Sequence, residues 1–378
     1  MQPFTLLIKP SGSDCNVDCK YCFYKNRAPE IGNGRQRMTD QVLERLVKDY
    51  MALRFPISVF SWQGGEPTLM GLDFYKRAVE LQKKYGAPGL QVSNALQTNA
   101  ILLDDNWCRF LLENKFLVGI SIDGPKEFHD HYRTDHSGAG TFDKAMRAIN
   151  KCAEYKVEFN TLTLLNNRNV DHPDELFDFF VERGVGYLQF ITCVETDPAT
   201  GKIADFSITP RQYAHFLCRI FDRWYEQGPQ KLSIRTFDSV LSYCLTGKHT
   251  ICTFDEQCNA YVVVEHTGDC FCCDFFVQPQ WRLGSIFETP IEKLAASRKK
   301  RAFARAKKKL SDKCIVCRHL ALCRGGCMKD RTPLDKDWKR ESYFCESYKK
   351  FFDYTMPRFM QIAANIRSGD SEKQILSR

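Results

Sequence analysis

Up to about residue 234 the chain alternates short apolar runs with longer amphipathic ones. The runs FTLLIKP, ISVFSW, LQVSNALQT, FLVGISID, VEFNTLTLL and YLQFI are rich in β-branched and aromatic residues and have the length of strands. Between them, segments such as TDQVLERLVKDYMA and TFDKAMRAINKCAEY carry apolar residues at helical spacing, with Thr39 placed to cap the first. Alternation of this kind predicts right-handed βαβ units on a parallel sheet, hence an α/β fold. Six repeats fall short of the eight that close a barrel, so the pattern predicts a partial (β/α)6, TIM-like barrel over residues 1–234. Beyond it the rhythm stops. Strands shorten (AYVVVEH, then a Thr267-Gly268-Asp269 turn), cysteines become dense, and a helical pattern, SYKKFFDYTMPRFMQIAANI, closes the chain. A second domain is expected over residues 235–378.

The unusual residues of the first part fall at the ends of predicted strands. Cys15, Cys19 and Cys22 follow the first strand, Gln63-Gly64-Gly65-Glu66-Pro67 the second, and Gln97-Thr98-Asn99 ends the third. Ser121 and Asp123 end the fourth strand, and Thr192-Cys193-Val194 follows the sixth. Barrels build their active sites at the C-terminal ends of strands, so these residues are expected on one rim.

Composition narrows the setting. A chain of 378 residues, 43% hydrophobic, fits one large and one small domain. No apolar run approaches a membrane span, and MQPFTLLIKP lacks the apolar core of a signal peptide, so a cytoplasmic protein without a membrane partner is expected. In a reducing compartment 18 cysteines favour metal ligation or redox work over disulfides. The formal charge is +8, but eleven cysteine thiolates bound to three cubane cores would lower it to roughly +3. The basic balance is therefore weak evidence for nucleic acid, and none is expected as a partner. The run SRKKRAFARAKKKL reads as a solvated helix face.

The stretch DCNVDCKYCFY packs three cysteines into eight residues, with no fourth nearby. A structural zinc ion wants four N or S ligands, and a cubane iron–sulfur cluster normally takes four cysteines. Three cysteines on four irons leave one iron open. The C-x3-C-x2-C spacing, with Tyr21 before its last cysteine, resembles the radical S-adenosylmethionine (SAM) superfamily. The resemblance implies a 4Fe–4S cluster on Cys15, Cys19 and Cys22, with SAM's methionine on the open iron and a 5′-deoxyadenosyl radical released when SAM is reduced. It also implies that Tyr24, Gly65, Ser121, Arg133 and Val194 bind SAM. Arg133 could meet the SAM carboxylate in a two-pronged pair, although a surface salt bridge is an equal reading of the residue alone. A lone Tyr or Val is otherwise core, and Gly-Gly otherwise a turn.

The second part carries Cys314-x2-Cys317-x5-Cys323-x3-Cys327, followed by Cys345 and preceded by Cys252, Cys258 and Cys273. A zinc ribbon would use four of these eight and strand four, whereas eight suit two cubanes. The order resembles the SPASM domain. That resemblance implies one auxiliary 4Fe–4S cluster on Cys252, Cys258, Cys273 and Cys327, and another on Cys314, Cys317, Cys323 and Cys345. Cys270 and Cys272 crowd Cys273, and only the Gly268-x4-Cys273 spacing and the following Asp274 favour the last.

Among SPASM proteins the chain resembles the anaerobic sulfatase-maturating enzymes, through LLIKP, CFY, QGGEPTL, QTN, ENKFLVG, DGPKEFH, KVEFN, LQFI, CDFF, WRLG and YFCESY. The resemblance implies radical oxidation of one Cys or Ser, in an unfolded sulfatase segment, to Cα-formylglycine. It further implies that SAM is cleaved to 5′-deoxyadenosine and methionine, that Asp274 is the base, and that a flavodoxin or ferredoxin donates electrons. The enzymatic alternative is a maturase that crosslinks a ribosomally made peptide. Such enzymes often add an N-terminal recognition domain, for which a first strand starting near Phe4 leaves no room. An iron–sulfur electron carrier would need neither the open-iron triplet nor the strand-end motifs.

Overall fold

The structure is a computed structural model and describes residues 2–25, 35–331 and 339–369. Its elements follow the expected rhythm: β1 (Thr5–Lys9), α1 (Asp40–Met51), β2 (Ile57–Trp62), α2 (Leu72–Tyr85), β3 (Gln91–Thr98), α3 (Asp105–Glu113) and β4 (Leu117–Ser121). Then come α4 (Phe142–Glu154), β5 (Phe159–Leu165), α5 (Pro173–Glu182), β6 (Tyr187–Thr192), α6 (Pro210–Gln227), β7 (Ser233–Ile234) and α7 (Arg235–Thr246). Three short strands, β8 (Tyr261–Glu265), β9 (Asp269–Phe271) and β10 (Arg282–Ser285), precede the long closing helix α8 (Cys345–Ser368). All six strands read from the sequence are present, and Thr39 caps α1 by accepting from the Val42 N–H.

The chain forms two compact units, each gathered from three segments. The first comprises Met1–Ile122, His129–Phe159 and Asn259–Ala304. Its strands lie in the order β10-β9-β8-β1-β2-β3-β4. The pairs β1–β2, β2–β3 and β3–β4 are parallel. Leu6, Ile8, Phe60, Trp62, Leu96, Val118 and Ile120 have no exposed surface and form the floor on which α1 to α4 pack. Each such side chain contributes about 1.5–3 kcal/mol when buried.

AYVVVEH, assigned from sequence to the second domain, extends this sheet. β8 pairs in parallel with β1, from Thr5↔Tyr261 to Lys9↔Glu265, and Val262, Val263 and Val264 are fully buried. A run apolar on both faces suits a strand covered on both sides, and its pairing removes the open edge of β1. The expected turn then reverses the chain into the antiparallel β9, with Gly268 at φ +87°. This pairing brings the segment ending in Asp274 into the same unit as the first cysteine triplet.

The second unit comprises Asp123–Phe128, Asn160–Cys258 and Arg305–Arg378. Its strands β5, β6 and β7 are parallel neighbours. Helix α6 starts from a capping box between Thr209 and Gln212, with Pro210 in its first turn. Helix α8, read from the sequence as a helical tail, packs on α6 and α7 through aromatic rings: Phe221 on Phe359 (4.8 Å between centroids) and Phe237 stacked on Phe351 (5.6 Å).

Candidate active site

The triplet loop is held by its own turns and by three neighbouring segments of the first unit. Cys22 N–H donates to Cys19 O (3.2 Å), and Asp18 and Lys20 N–H donate to Thr134 and Tyr132 carbonyls (2.7 and 3.2 Å). Those last bonds align the HDHYRTD segment beside the cysteines, and Arg133 Nη1 reaches Cys19 Sγ at 3.8 Å while its guanidinium lies 5.6 Å from the Tyr21 ring centroid. Cys15 Sγ accepts from Val17 N–H (3.4 Å) and Asn99 Nδ2 (3.8 Å). None of the 18 cysteines is in a disulfide. Burial, with the Glu66 carboxylate next in effect, pushes the Cys15 thiol up, so a thiolate here needs positive charge brought to it. Sulfurs outside disulfides that face N–H donors suit the ligands of an iron–sulfur cluster, whose potential such bonds tune.

Gly65 has a packing reason beyond any ligand. Its N–H donates to Gly12 O (2.7 Å), and a Cβ there would stand 2.0 Å from Asp14 O. The glycine motif therefore presses directly on the backbone that leads into Cys15. Glu66 beside it is fully buried and accepts four bonds: Thr68 N–H (2.9 Å) and Oγ1 (2.6 Å), Thr98 Oγ1 (2.7 Å) and Asn99 N–H (2.8 Å). One carboxylate thus ties the end of β2 to the end of β3, and Asn99 carries that tie to Cys15. Ser121 Oγ accepts from Gln97 Nε2 (3.0 Å) on the same strand ends.

A second polar group lies where β1 meets β8. Lys9 is 1% exposed, and its Nζ lies 4.0 Å from Asp274 Oδ2 and 4.1 Å from the Tyr24 ring centroid. The Tyr24 hydroxyl donates to Glu265 Oε1, whose partner oxygen Oε2 is buried without a hydrogen-bond partner. Phe23 packs on Phe275 at 4.8 Å. The residues after Cys22 and those after Cys273 therefore meet face to face within one unit. Cys273 Sγ is 3.6 Å from Asp274 Oδ1 and 3.8 Å from the Tyr261 hydroxyl. Cys270 is fully buried with its Sγ on Gly268 O (3.8 Å), and Cys272 offers its carbonyl to Lys300 Nζ (3.0 Å).

Burial pushes the Glu265 carboxyl up to about 7 from an ordinary 4.5, against the pull of Lys9 and Tyr24. Below pH 4.5 it is neutral in folded and unfolded chains alike. Between 4.5 and 7 the unfolded chain gives up the proton first, so the fold loses stability as pH rises, by about 3 kcal/mol in all. Glu265→Gln keeps an acceptor for Tyr24 and should melt higher than the parent at pH 8, with the gap closing towards pH 4.5. Anaerobic thermal unfolding across that range tests it, and a gap independent of pH would contradict the assignment.

In the second unit, Cys314, Cys317, Cys323 and Cys345 line one cavity of about 310 Å³ together with Arg331. Burial pushes the Cys345 thiol up to about 11, with Cys314 and Cys323 among the charges that add to it. Cys327 is likewise pushed up, by burial first and then by Asp330, Cys252 and Cys258. The expected second auxiliary set thus surrounds one space, and three members of the first lie close together. Cys273, the fourth, belongs to the first unit. Val194 O accepts from Lys329 Nζ (2.9 Å), which also pairs with Glu195 (2.6 Å). Asp123 Oδ1 accepts from Leu164 N–H (3.1 Å), and its carbonyl from Asn169 Nδ2 (3.1 Å).

Comparison with known proteins meets this geometry. Residues 10–180 match the family model for the Radical SAM superfamily, and residues 252–318 that for an iron–sulfur cluster-binding domain, SPASM. A cysteine-type anaerobic sulfatase-maturating enzyme of Clostridium perfringens is 39% identical over 97% of this chain and 100% of its own length. A serine-type enzyme of Bacteroides thetaiotaomicron is 36% identical, over 94% of this chain and 90% of its own. The chain belongs to the anaerobic sulfatase-maturating enzyme family. A solved structure of native anSMEcpe with bound AdoMet and Cp18Cys peptide superposes with a TM-score of 0.89 at 39% identity, over 97% of this chain and 100% of that one. The expected architecture, a radical SAM domain with a SPASM iron–sulfur domain, is therefore the observed one, and SAM with 4Fe–4S clusters are the cofactors of this family's chemistry.

For this family member the sequence alone pointed to the cysteines and to Asp274, but not to several side chains that surround them. Lys9 and Glu66 lay inside quoted motifs without a role, Glu265 ended a strand, and Arg331 stood four residues after Cys327. A buried charge has no sequence periodicity of its own. For Lys9 and Glu265 the signal was an ionisable residue at the end of an otherwise apolar strand, as in LLIK and VVVE.

Proposed function

We propose that this chain oxidises an active-site Cys or Ser of an unfolded sulfatase segment to Cα-formylglycine. Bound SAM and its cluster would supply the radical chemistry that removes one Cβ hydrogen from the substrate residue. Cys15, Cys19 and Cys22 would hold that cluster, with Tyr24, Gly65, Ser121, Arg133 and Val194 as the SAM-binding residues. Asp274 is placed to take the thiol or hydroxyl proton, and Cys273 beside it would help to hold a cluster that would accept the remaining electron. The partition of the other auxiliary ligands is Cys252, Cys258 and Cys327 with Cys273, and Cys314, Cys317, Cys323 and Cys345 together. The observation that carries the reading is the placement of Asp274: buried, 4.0 Å from Lys9, and packed against the Phe23–Tyr24 segment that follows Cys22. The Tyr24 hydroxyl is already committed to Glu265 and does not compete for the carboxylate.

Among the described residues no helix is long and apolar enough to cross a membrane. We place the enzyme in the cytoplasm, where cysteines outside disulfides persist and a flavodoxin or ferredoxin can supply electrons. The test is to incubate the reconstituted protein with SAM, reductant and a sulfatase-motif peptide and to weigh the product. A serine peptide should lose two hydrogens, and a cysteine peptide should lose two hydrogens and exchange sulfur for oxygen once its thioaldehyde is hydrolysed. A crosslinked peptide unreactive to aldehyde reagents would move the chain to the maturases of ribosomally made peptides.

A further inference from the structure

Ile315 and Val316 are 62% and 85% exposed, the two most exposed large hydrophobic side chains among the described residues, and no step of the proposed chemistry uses them. They stand between Cys314 and Cys317, at the end of the short helix Asp312–Ile315. Single apolar residues on a surface are ordinary. Here two adjacent ones are carried outward by the segment whose cysteines line the cavity of the second auxiliary set. That segment is fixed by its own backbone. Ser311 Oγ accepts from Cys314 N–H (3.2 Å), Ile315 N–H donates to Ser311 O (3.1 Å), and Cys317 N–H donates to Cys314 O (3.1 Å). The apolar knob is therefore preformed.

Its surroundings are basic. Residues 305–318 hold six Lys or Arg against the single acid Asp312, and residues 339–350 hold four against two. Lys313, Arg340 and Lys349 line the cavity itself. The nearby acids are already engaged: Glu341 accepts from Ser311 Oγ (2.7 Å), Glu346 pairs with Lys349 (2.9 Å), and Asp353 pairs with Arg318 and His319. Lys313 acts on Glu341 through space but forms no salt bridge among the described residues. An exposed aliphatic pair beside a surplus of positive charge has the make-up of a recognition surface.

We propose that Ile315 and Val316, with Lys313 and the basic residues beside them, form the docking surface for a small acidic one-electron carrier protein. The proposal rests on the reading that Cys314, Cys317, Cys323 and Cys345 hold a cluster. Electron-transfer partners meet through small, weak interfaces, and complementary charge gives them speed and orientation more than affinity. Attraction between exposed charges steers the encounter and is screened by salt. The aliphatic pair, desolvated on contact, sets how long the complex lasts. Because that pair lies between two ligands, it would bring the carrier's centre against the cluster with only the ligand loop between them. The transfer moves one electron: the cluster, reduced by the electron that substrate oxidation releases, is oxidised again, and the carrier's flavin or iron–sulfur centre is reduced. No bond in this chain breaks. A nucleic acid would use the lysines but gain little from an aliphatic pair, so an acidic protein is the occupant the surface favours.

The experiment measures binding of oxidised flavodoxin, an acidic carrier, to the reconstituted holoenzyme across a salt series. It also follows the rate at which flavodoxin reoxidises the dithionite-reduced protein. The parent should bind more weakly as salt rises. Lys313→Glu and Val316→Ser should each weaken binding and slow reoxidation by roughly tenfold, with iron content unchanged. Lys76→Glu, the same charge change on α2, where Lys76 pairs with Asp73, should match the parent. A small uncharged quinone, which needs no docking, should reoxidise parent and variants alike. Equal binding and rates in the parent and both variants overturn the proposal, as does a weakening that Lys76→Glu reproduces. So does a basic cytochrome c that binds the parent as well as flavodoxin does. Duplex DNA that binds more tightly than flavodoxin, and is released by Lys313→Glu but not by Val316→Ser, overturns it in favour of a polyanion. Should Lys313→Glu lose iron, Val316→Ser, changed at a side chain largely in solvent, decides by the same readings. Parent protein whose four cysteines hold no iron would instead fail the cluster reading, and the electron path with it.

Discussion

Asp274→Asn should bind its full complement of about twelve irons, still cleave SAM to 5′-deoxyadenosine, and yield formylglycine at least roughly a hundredfold more slowly. The amide has the shape of the carboxylate, so the 3₁₀ turn Asp274–Phe276 and the contact of Phe275 with Phe23 should persist. Radical generation should also persist, because the groups on the Cys15 and Cys19 sulfurs, Val17, Asn99 and Arg133, do not include Asp274. What the amide cannot do is accept the thiol or hydroxyl proton as the electron departs. Uncoupled turnover, with 5′-deoxyadenosine formed but the peptide mass unchanged, is the expected pattern. Full aldehyde yield would end the case for Asp274 and leave the reaction class standing. Loss of iron in the variant would instead make Asp274 a support for Cys273, whose Sγ it touches at 3.6 Å.

Much of this arrangement was legible in the sequence because it rests on local pattern. The six βα repeats follow from apolar periodicity, and the triplet, the glycine motif and the eight later cysteines follow from spacing. What stayed hidden depends on which strands pair. AYVVVEH looks like the start of a cysteine-rich domain, yet its parallel register on β1 sets Glu265 opposite Lys9 and carries Asp274 towards Tyr24. No local pattern encodes a partner some 250 residues away, whereas a valine run buried on both faces demands one. Glu66 and Arg331 were hidden for a related reason. Each is ionisable, and each is retained inside because hydrogen bonds from separate segments converge on it, a convergence that exists only in the folded chain.

Changing Cys15, Cys19 and Cys22 together to Ala should remove about four of about twelve irons and abolish SAM cleavage altogether. None of the eight cysteines expected to hold the auxiliary clusters is changed, and four of them line a cavity within the second unit, so auxiliary iron should remain. The triplet loop itself should survive as a fold. Its backbone bonds to Thr134 and Tyr132, and the seat of Gly65 against Gly12 and Asp14, use no sulfur. Asn99 and Arg133 would lose their sulfur contacts, but Asn99 keeps Asn16 (2.8 Å) and its N–H keeps Glu66. Iron analysis, resonance spectra of the reduced auxiliary clusters and chromatography for 5′-deoxyadenosine measure the three parts separately. Residual SAM cleavage with the triplet gone would place radical generation elsewhere in the chain. Zinc in stoichiometric amount beside only four irons in the parent would sink the two auxiliary clusters instead, because eight cysteines would then be holding single ions.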